Sequence, residues 1–212
     1  MMTIKAWAKV NIGLKILSKR DDGFHNIETT LATINLCDLL TLEETGQGTV
    51  VETDMRDVKQ EENLCFRAAE LFKGRYGITR GVKIGLIKNI PIGGGLGGGS
   101  SDAAAVLKGL TKLFNMHITD DELIELASEL GSDVPFFIRG GAAYAKGRGD
   151  ELKSFKLPHM ELVIYYPGYP VSTKWAYDEY DKMILTQEVE VDSISQDKKK
   201  IRKGFGLQNH FE

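Results

Sequence analysis

Residues 91–105 read Pro91-Ile92-Gly93-Gly94-Gly95-Leu96-Gly97-Gly98-Gly99-Ser100-Ser101-Asp102-Ala103-Ala104-Ala105, so six glycines fall within seven positions. A loop with so few side chains lets backbone N–H groups approach a ligand closely. The apolar residues that follow, between Val106 and Phe114, recur at helical spacing. A helix N-terminus presents free N–H groups and partial positive charge. The loop and a helix that starts near Ser100 therefore predict an anion site, typically for phosphate.

This loop departs from two familiar phosphate-binding loops. The nucleotide-hydrolase loop requires Lys before its Ser or Thr, whereas Gly99 precedes Ser100 here. The dinucleotide pattern G-x-G-x-x-G does occur at Gly93, Gly95 and Gly98, but a run of six glycines satisfies almost any glycine spacing. That pattern also needs an acidic residue at the end of a second strand. The acidic residues at the required distance open a helix instead, which leaves a Rossmann oxidoreductase as the least favoured interpretation.

Length, charge and cysteine content narrow the class of protein. The chain has 212 residues, of which 42% are hydrophobic and 27% charged, as is ordinary for a globular protein. A net charge of −3 argues against a general nucleic-acid binder. Cys37 and Cys65 offer neither a disulfide framework nor metal spacing, which favours a reduced, cytoplasmic setting. The sequence shows no leader pattern and no long apolar run, so neither secretion nor a membrane partner is predicted.

The apolar pattern predicts strands first and helices interleaved later. Alternation from Ile4 to Ile16 indicates a strand, and the turn signal at residues 21–23 predicts that the chain folds back through 27–36. Further strands are predicted at 41–43, 49–52, 82–87, 142–145 and 162–166, and helices at 64–76, 101–114 and 120–130. This order is typical of an α+β domain. We expect that domain to span residues 1–155 and a second, partial domain to span 156–212.

Residues 93–104 resemble the central motif of the GHMP kinases, small-molecule kinases that include homoserine and mevalonate kinases. The doubled glycines are similar to those of the branch that phosphorylates the 2-hydroxyl of a cytidine diphosphate ester of methylerythritol, in non-mevalonate isoprenoid biosynthesis. The resemblance covers about residues 4–180. It implies a two-layer, ribosomal protein S5 domain 2-like N-terminal domain with a second α+β domain. It also implies ATP and Mg²⁺ as cofactors and a small cytidine diphosphate ester as the partner.

Two further motifs supply candidate catalytic residues. Residues 130–137, Leu-Gly-Ser-Asp-Val-Pro-Phe-Phe, resemble the family segment that carries the catalytic aspartate, which corresponds to Asp133. Residues 8–12, Ala-Lys-Val-Asn-Ile, resemble the N-terminal motif that contributes Lys9 and a substrate contact, Asn11. On residue type alone, Asp133 would be a turn-capping residue and Lys9 a solvent-facing one. A lysine beside the aspartate would keep it ionised and offset charge on the transferred phosphoryl group.

The resemblance also assigns nucleotide contacts. They are Asn63, Lys88, Pro91, Gly93, Gly94, Gly95, Leu96, Gly97, Gly98, Gly99, Ser100 and Ser101. Asn63 suits a helix N-cap equally well. Ser100 and Ser101 could each cap the helix or reach Mg²⁺, and the superfamily pattern favours Ser101 for the metal. The remaining histidines show no ligand spacing, so no structural metal is predicted.

Substrate selection has signals of its own. Residues 22–25, Asp-Gly-Phe-His, resemble the family's Asp-Gly-Tyr-His, in which the aromatic ring stacks on cytosine and the histidine hydrogen-bonds it. Phe24 retains the stacking face, and His25 supplies the edge contact. Residues 167–177 resemble a later segment with Thr173 as a contact and Tyr177 as the second stacking ring. Trp175 is a rival for that role, and either ring could simply belong to the core.

The resemblance stops near residue 180. The family runs longer and carries a third, Gly-Ser-Gly motif, whereas residues 206–212 resemble a stretch that lies mid-domain in the family. We therefore expect a fragment, a truncated gene product or one part of a split protein, and make no prediction of oligomeric state. The alternatives are a kinase for another small alcohol, such as homoserine or mevalonate, and a nucleotide-binding remnant without turnover. The basic run at 198–203 is interpreted as a solvated face.

Overall fold

The structure is a computed structural model that describes residues 1–54 and 59–186. These residues form one six-stranded sheet with helices packed against it. The strands are β1 Met2–Lys19, β2 His25–Thr45, β3 Thr49–Thr53, β4 Gly81–Ile87, β5 Ala142–Lys146 and β6 Glu151–Phe155. The helices are α1 Leu64–Tyr76, α2 Gly98–Leu113, α3 Asp120–Ser128, α4 Val134–Arg139 and α5 Thr173–Thr186, with a 3₁₀ turn at Gln60–Glu62.

The long strand β2 organises the sheet. One of its edges pairs with β1, and its other edge pairs with β4 over residues 39–45 and with β5 over residues 29–32. These pairs are antiparallel, whereas β3 joins β4 in parallel. Helix α2 lies against β1, β2, α1 and α4, and its residues Val106, Leu107 and Leu110 are fully buried. The result is the predicted two-layer α+β arrangement.

A register shift interrupts the regular alternation of β1. Trp7 pairs with Cys37, but Lys9 pairs with Thr33, so residues 34–36 of β2 face Ala8 alone. A bulge of this kind bends a strand and redirects its side chains. Ala8 and Lys9 are consequently both buried, although alternation places Lys9 on the opposite face from Ala8. The apolar residues around the bulge form a small cluster with Leu96 of the glycine loop.

Several predicted boundaries are confirmed, but the strands predicted separately at 27–36 and 41–43 are wrong as two elements, because both belong to the continuous strand β2. The capping box is present, because Thr119 and Glu122 exchange side-chain and backbone hydrogen bonds at the start of α3. Helix α1 ends at Gly77, which has a left-handed φ of 64°. Helix α2 begins earlier than predicted, at Gly98, because Gly97 is already its N-cap.

The strand predicted at residues 162–166 is wrong. The structure shows no strand there, and Val163 and Tyr165 are largely exposed. The described residues offer this alternating stretch no strand to pair with, and alternation alone does not make a sheet. The last strand within residues 1–54 and 59–186 ends at Phe155, while a domain boundary there stays a prediction. The basic run at 198–203 and the stretch at 206–212 lie outside the described residues.

Candidate functional site

One large cavity of about 1410 Å³ collects the residues that the sequence singled out. Its walls come from the glycine loop, the middle of β1, the start of α4 and the segment around residues 163–178. All but one of the predicted site residues line it: Lys9, Asn11, Phe24, His25, Asn63, Lys88, Pro91, Gly93, Gly94, Gly95, Leu96, Gly97, Gly98, Gly99, Ser100, Asp133, Thr173 and Tyr177. The exception is Ser101. Of the two rival rings, Tyr177 lines the cavity and Trp175 does not.

Two hydrogen bonds attach the glycine loop to β1. The Lys9 N–H donates to the Leu96 carbonyl at 2.9 Å. The Ser101 hydroxyl donates to the Trp7 carbonyl at 2.7 Å, and Ser101 is buried. This bond uses the Ser101 hydroxyl for structure, whereas Ser100 faces the cavity. The geometry therefore favours Ser100 over Ser101 as the hydroxyl available to a metal or phosphate.

Glycine is required at Gly97 by both backbone angle and space, and Gly98 is closely packed as well. Gly97 has φ of +70°, and a Cβ there would lie 2.7 Å from the Phe137 ring and 3.1 Å from Lys9 Cγ. A Cβ on Gly98 would lie 3.2 Å from Lys88 Nζ. The loop glycines also line the cavity, so their backbone is part of its wall.

Lys9 and Asp133 meet in this cavity. Lys9 Nζ lies 3.7 Å from Asp133 Oδ2 and donates to Asn11 Oδ1 at 2.6 Å. Asn11 in turn donates to the Thr29 hydroxyl at 3.0 Å, which holds the amide in place. The Lys9 side chain is only 9% exposed, whereas that of Asp133 is 37% exposed. A buried, oriented ammonium thus lies beside a carboxylate that remains open to a ligand.

The turn-capping interpretation of Asp133 finds no support. Asp133 is the N-cap of α4, but its side chain makes no capping hydrogen bond. Asn63 differs, because its side chain accepts from the Cys65 N–H at 2.8 Å and caps α1. Asn63 also lines the cavity, so the cap and the nucleotide contact remain compatible.

A buried charge cluster lies behind the loop. Lys88 Nζ contacts Asp38 and donates to Asp102 Oδ2 at 2.7 Å. Asp38 also accepts the N–H groups of Asn89 and Ile90, at 2.6 and 2.8 Å, and so holds the backbone that enters the loop. Burial opposes the charge on Lys88, yet its two carboxylate partners leave the Lys88 pKa above its ordinary value.

Asp102 is the least satisfied member of that cluster. Its Oδ1 is buried without a hydrogen-bond partner in residues 1–54 and 59–186. Burial raises the pKa of Asp102 from its ordinary value of 3.8 to about 7, against the opposing effect of Lys88. The carboxyl therefore changes its protonation state near neutral pH.

Aromatic and charged groups converge at the other end of the cavity. The Tyr177 ring stacks on His25 with centroids 4.7 Å apart and an angle of 15° between planes. Asp181 Oδ1 lies 2.7 Å from His25 Nε2. The Arg148 guanidinium lies 4.9 Å from the centre of the Phe24 ring. Phe24 and Tyr177 thus both border the cavity, but one face of Tyr177 is already covered by His25.

Sequence reasoning missed Asp38, Asp102, Arg148 and Asp181. Asp38 carried a signal, because an aspartate among the apolar residues Leu36 and Leu39 is buried only when it is paired. Asp102 follows the two serines directly, but its burial beside Lys88 depends on the packing of α2. Arg148 and Asp181 have no local motif, since their positions depend on the turn after β5 and on the docking of α5.

Comparisons with known proteins place the chain in a class and then in a family. Residues 63–141 match the family model for the GHMP kinases N terminal domain. A crystal structure of 4-(cytidine 5'-diphospho)-2C-methyl-D-erythritol kinase matches with a TM-score of 0.74 and 42% identity, covering 84% of this chain and 63% of that one. A mevalonate kinase from Methanococcus jannaschii, at 18% identity and a TM-score of 0.57, shares the fold. The chain therefore has a GHMP kinase fold.

Curated relatives define the family within that class. The 4-diphosphocytidyl-2-C-methyl-D-erythritol kinase of Caldicellulosiruptor saccharolyticus is 41% identical over 196 residues, which is 91% of this chain and 68% of the relative. That of Clostridium beijerinckii is 42% identical over 197 residues, 91% of this chain and 70% of the relative. The chain belongs to the 4-diphosphocytidyl-2-C-methyl-D-erythritol kinase family. It spans between 62% and 70% of the length of such relatives.

No helix in the described part of the chain is long and apolar enough to span a bilayer.

The protonation of Asp102 predicts a pH-dependent stability. The folded protein keeps this proton to a higher pH than the unfolded chain does. The contribution of Asp102 to the free energy of unfolding therefore falls as pH rises from about 4 to about 7. Asp102→Asn stays neutral and should remove this decline, on the order of 2 kcal/mol between about pH 5 and about pH 8.

Urea denaturation of both proteins at the two pH values measures this difference. Asp120→Asn, which removes an exposed carboxylate from α3, should keep the wild-type decline. Parallel declines in wild type and Asp102→Asn would show that Asp102 does not titrate in this range.

Proposed function

We propose that this chain forms the ATP site and the acceptor site of a kinase that phosphorylates the 2-hydroxyl of 4-diphosphocytidyl-2-C-methyl-D-erythritol. The observation that carries the proposal is the meeting of Lys9 and Asp133, 3.7 Å apart, beside a glycine loop in one cavity. The cavity exceeds the roughly 300–1,000 Å³ typical of a single-ligand pocket. That size suits a reaction that needs a nucleotide and an acceptor together.

The glycine loop is the proposed site of the ATP phosphates. Helix α2 starts at Gly98, so its first N–H groups and its positive dipole end border the cavity. Lys88 Nζ lies next to Gly98, where Asp38 and Asp102 compensate its charge. Asn63 and Lys88 are the proposed contacts for the rest of the nucleotide. The loop suits a polyphosphate because six of its lining residues are glycines, whose backbone N–H groups a phosphate can approach closely.

Phosphoryl transfer depends mainly on positioning and charge neutralisation. In the proposed reaction the acceptor hydroxyl oxygen bonds to the γ-phosphorus, the bond to the ADP oxygen breaks, and the hydroxyl proton passes to Asp133. Lys9 Nζ lies 3.7 Å from Asp133 Oδ2, where its charge offsets negative charge on the phosphoryl oxygens. Asn11 and Thr29 hold the Lys9 ammonium in place.

Mg²⁺ is proposed to enter with the ATP phosphates. The described residues contain no group of three or more His, Cys, Asp or Glu that could hold a metal ion by itself. Mg²⁺ is commonly held by one or two protein oxygens together with substrate phosphates and water. Ser100 lines the cavity and supplies such an oxygen. When bound, the ion would neutralise phosphate charge.

The cytidine end of the acceptor is proposed to lie among Phe24, His25 and Tyr177, with Thr173 and Asn11 as further contacts. These residues border the same cavity as the loop. Two aromatic faces and one polar edge suit a nucleobase better than an acyclic alcohol such as homoserine. Residues 1–155 would then supply the nucleotide site, and residues from 156 onward would complete the acceptor site. Free thiols at Cys37 and Cys65 are in keeping with a cytoplasmic enzyme.

The substitution Gly97→Val tests the nucleotide site. The valine side chain would need an unfavourable left-handed φ and would collide with Phe137, so the loop should shift away from the phosphate position. We expect ATP affinity to fall by about tenfold or more, measured by calorimetric titration. Gly46→Val is the matched control, because Gly46 has no atom within 4 Å of a new Cβ. Equal ATP affinity in Gly97→Val and wild type would show that the glycine loop does not belong to the nucleotide site.

Replacing Asp133 and Lys9 tests their proposed roles in phosphoryl transfer. Asp133→Asn and Lys9→Ala should each lower kcat by about 10²-fold or more, with little change in ATP affinity. The assay follows ADP formation with 4-diphosphocytidyl-2-C-methyl-D-erythritol as acceptor. Asp121→Asn and Lys5→Ala remove exposed charges elsewhere and should retain wild-type kcat. Near-full turnover in Asp133→Asn would place the base elsewhere, and no turnover in the wild-type chain would contradict the proposed function.

A further inference from the structure

Helix α5 holds the His25 imidazole on two sides. Tyr177 stacks on the face of the ring, and Asp181 contacts its Nε2 edge at 2.7 Å. Residues four apart lie on the same side of a helix, so both contacts come from one face of α5. Together they fix the plane of the imidazole and its rotation within that plane. His25 is buried, yet it borders the cavity.

The Asp181 carboxylate is itself held in place by a second contact, to Lys19. Its Oδ2 accepts from Lys19 Nζ at 2.6 Å, and Lys19 is the residue that pairs with His25 between β1 and β2. The hydrogen bond from Lys19, assisted by that from His25, lowers the pKa of Asp181. An ionised carboxylate can only accept hydrogen bonds. The hydrogen in the contact with His25 therefore belongs to Nε2.

This contact determines what the opposite edge of the imidazole can do. A neutral imidazole that carries its proton on Nε2 has an acceptor lone pair on Nδ1. In residues 1–54 and 59–186 no group donates to Nδ1. Cytosine presents an amino donor at its C4 position, where the thymine and uracil ring presents a carbonyl acceptor. An acceptor at Nδ1 thus complements cytosine and opposes uracil.

We propose that Asp181 is a positioning residue that selects cytidine over uridine acceptors by holding His25 in the tautomer with its proton on Nε2. The proposal rests on the proposed function and deepens it, because it names the group behind base selection. Asp181 itself touches neither the base nor the reacting atoms in this account.

Binding of CMP and UMP to the full chain tests the role of Asp181. Asparagine carries both an acceptor and a donor, so Asp181→Asn accommodates either tautomer. The ratio of CMP to UMP affinity should fall by about tenfold in this variant. Glu179→Gln is the matched control, because it removes one carboxylate from α5 that pairs with Lys182 at 2.6 Å and not with His25. It should keep the wild-type ratio.

The outcomes separate this proposal from the proposed function. Equal affinity of the wild-type chain for CMP and UMP would contradict a cytidine acceptor altogether. A wild-type preference for CMP that Asp181→Asn retains would overturn the role of Asp181 and leave the proposed function standing. If Asp181 merely attached α5 to the sheet, Asp181→Asn would weaken both nucleotides equally and leave their ratio unchanged, which also overturns the proposal.

The tautomer can be observed without a nucleotide. The ¹⁵N chemical shifts of the imidazole nitrogens at alkaline pH distinguish the Nε2–H form from the Nδ1–H form. His25→Ala identifies the signal among the four histidines of the chain. We expect the Nε2–H form in wild type and in Glu179→Gln, and a mixture of both forms in Asp181→Asn. The Nδ1–H form in wild type would overturn the proposal.

Discussion

The hydrogen bond from the Lys9 amide to the Leu96 carbonyl joins the first strand to the glycine loop, and the geometry of the site depends on it. The Ser101–Trp7 bond attaches the start of α2 to the same stretch of β1. The bulge opposite Ala8 allows this attachment and turns the Lys9 side chain into the cavity. Lys9 therefore serves twice: its backbone holds the loop, and its ammonium lies beside Asp133.

The charged residues on the two sides of the glycine loop have different roles. In front of it, Asp133 is open to substrates, and the buried Lys9 ammonium lies beside it. Behind it, Lys88 is enclosed by Asp38 and Asp102, and removing one member of such a buried group is costly because the others lose their compensation. Asp38 also fixes the backbone before the loop. The buried cluster thus supports the loop from behind, while the front of the cavity remains polar and open.

Local signals in the sequence predicted the elements that depend on neighbouring residues. The glycine run, the capping box at Thr119 and the helix end at Gly77 required no knowledge of the rest of the chain. The pairing of Lys9 with Asp133 came from the family resemblance, since spacing alone cannot relate residues so far apart. The bulge in β1–β2 was not predictable, because periodicity assumes a constant register. The partners of Lys88 and His25 depend on tertiary packing and left no pattern of their own.

Amide hydrogen exchange tests most directly the claim that β1 and the loop form one unit through Ser101 and Lys9. The measurement compares the exchange rate of the Lys9 amide, and of the amides of residues 97–102, in wild type and in Ser101→Ala. If the two elements are coupled, the Lys9 amide will be protected in wild type and will lose protection together with the start of α2 in the variant. Loss of protection confined to α2, with the Lys9 amide unchanged, would contradict the account.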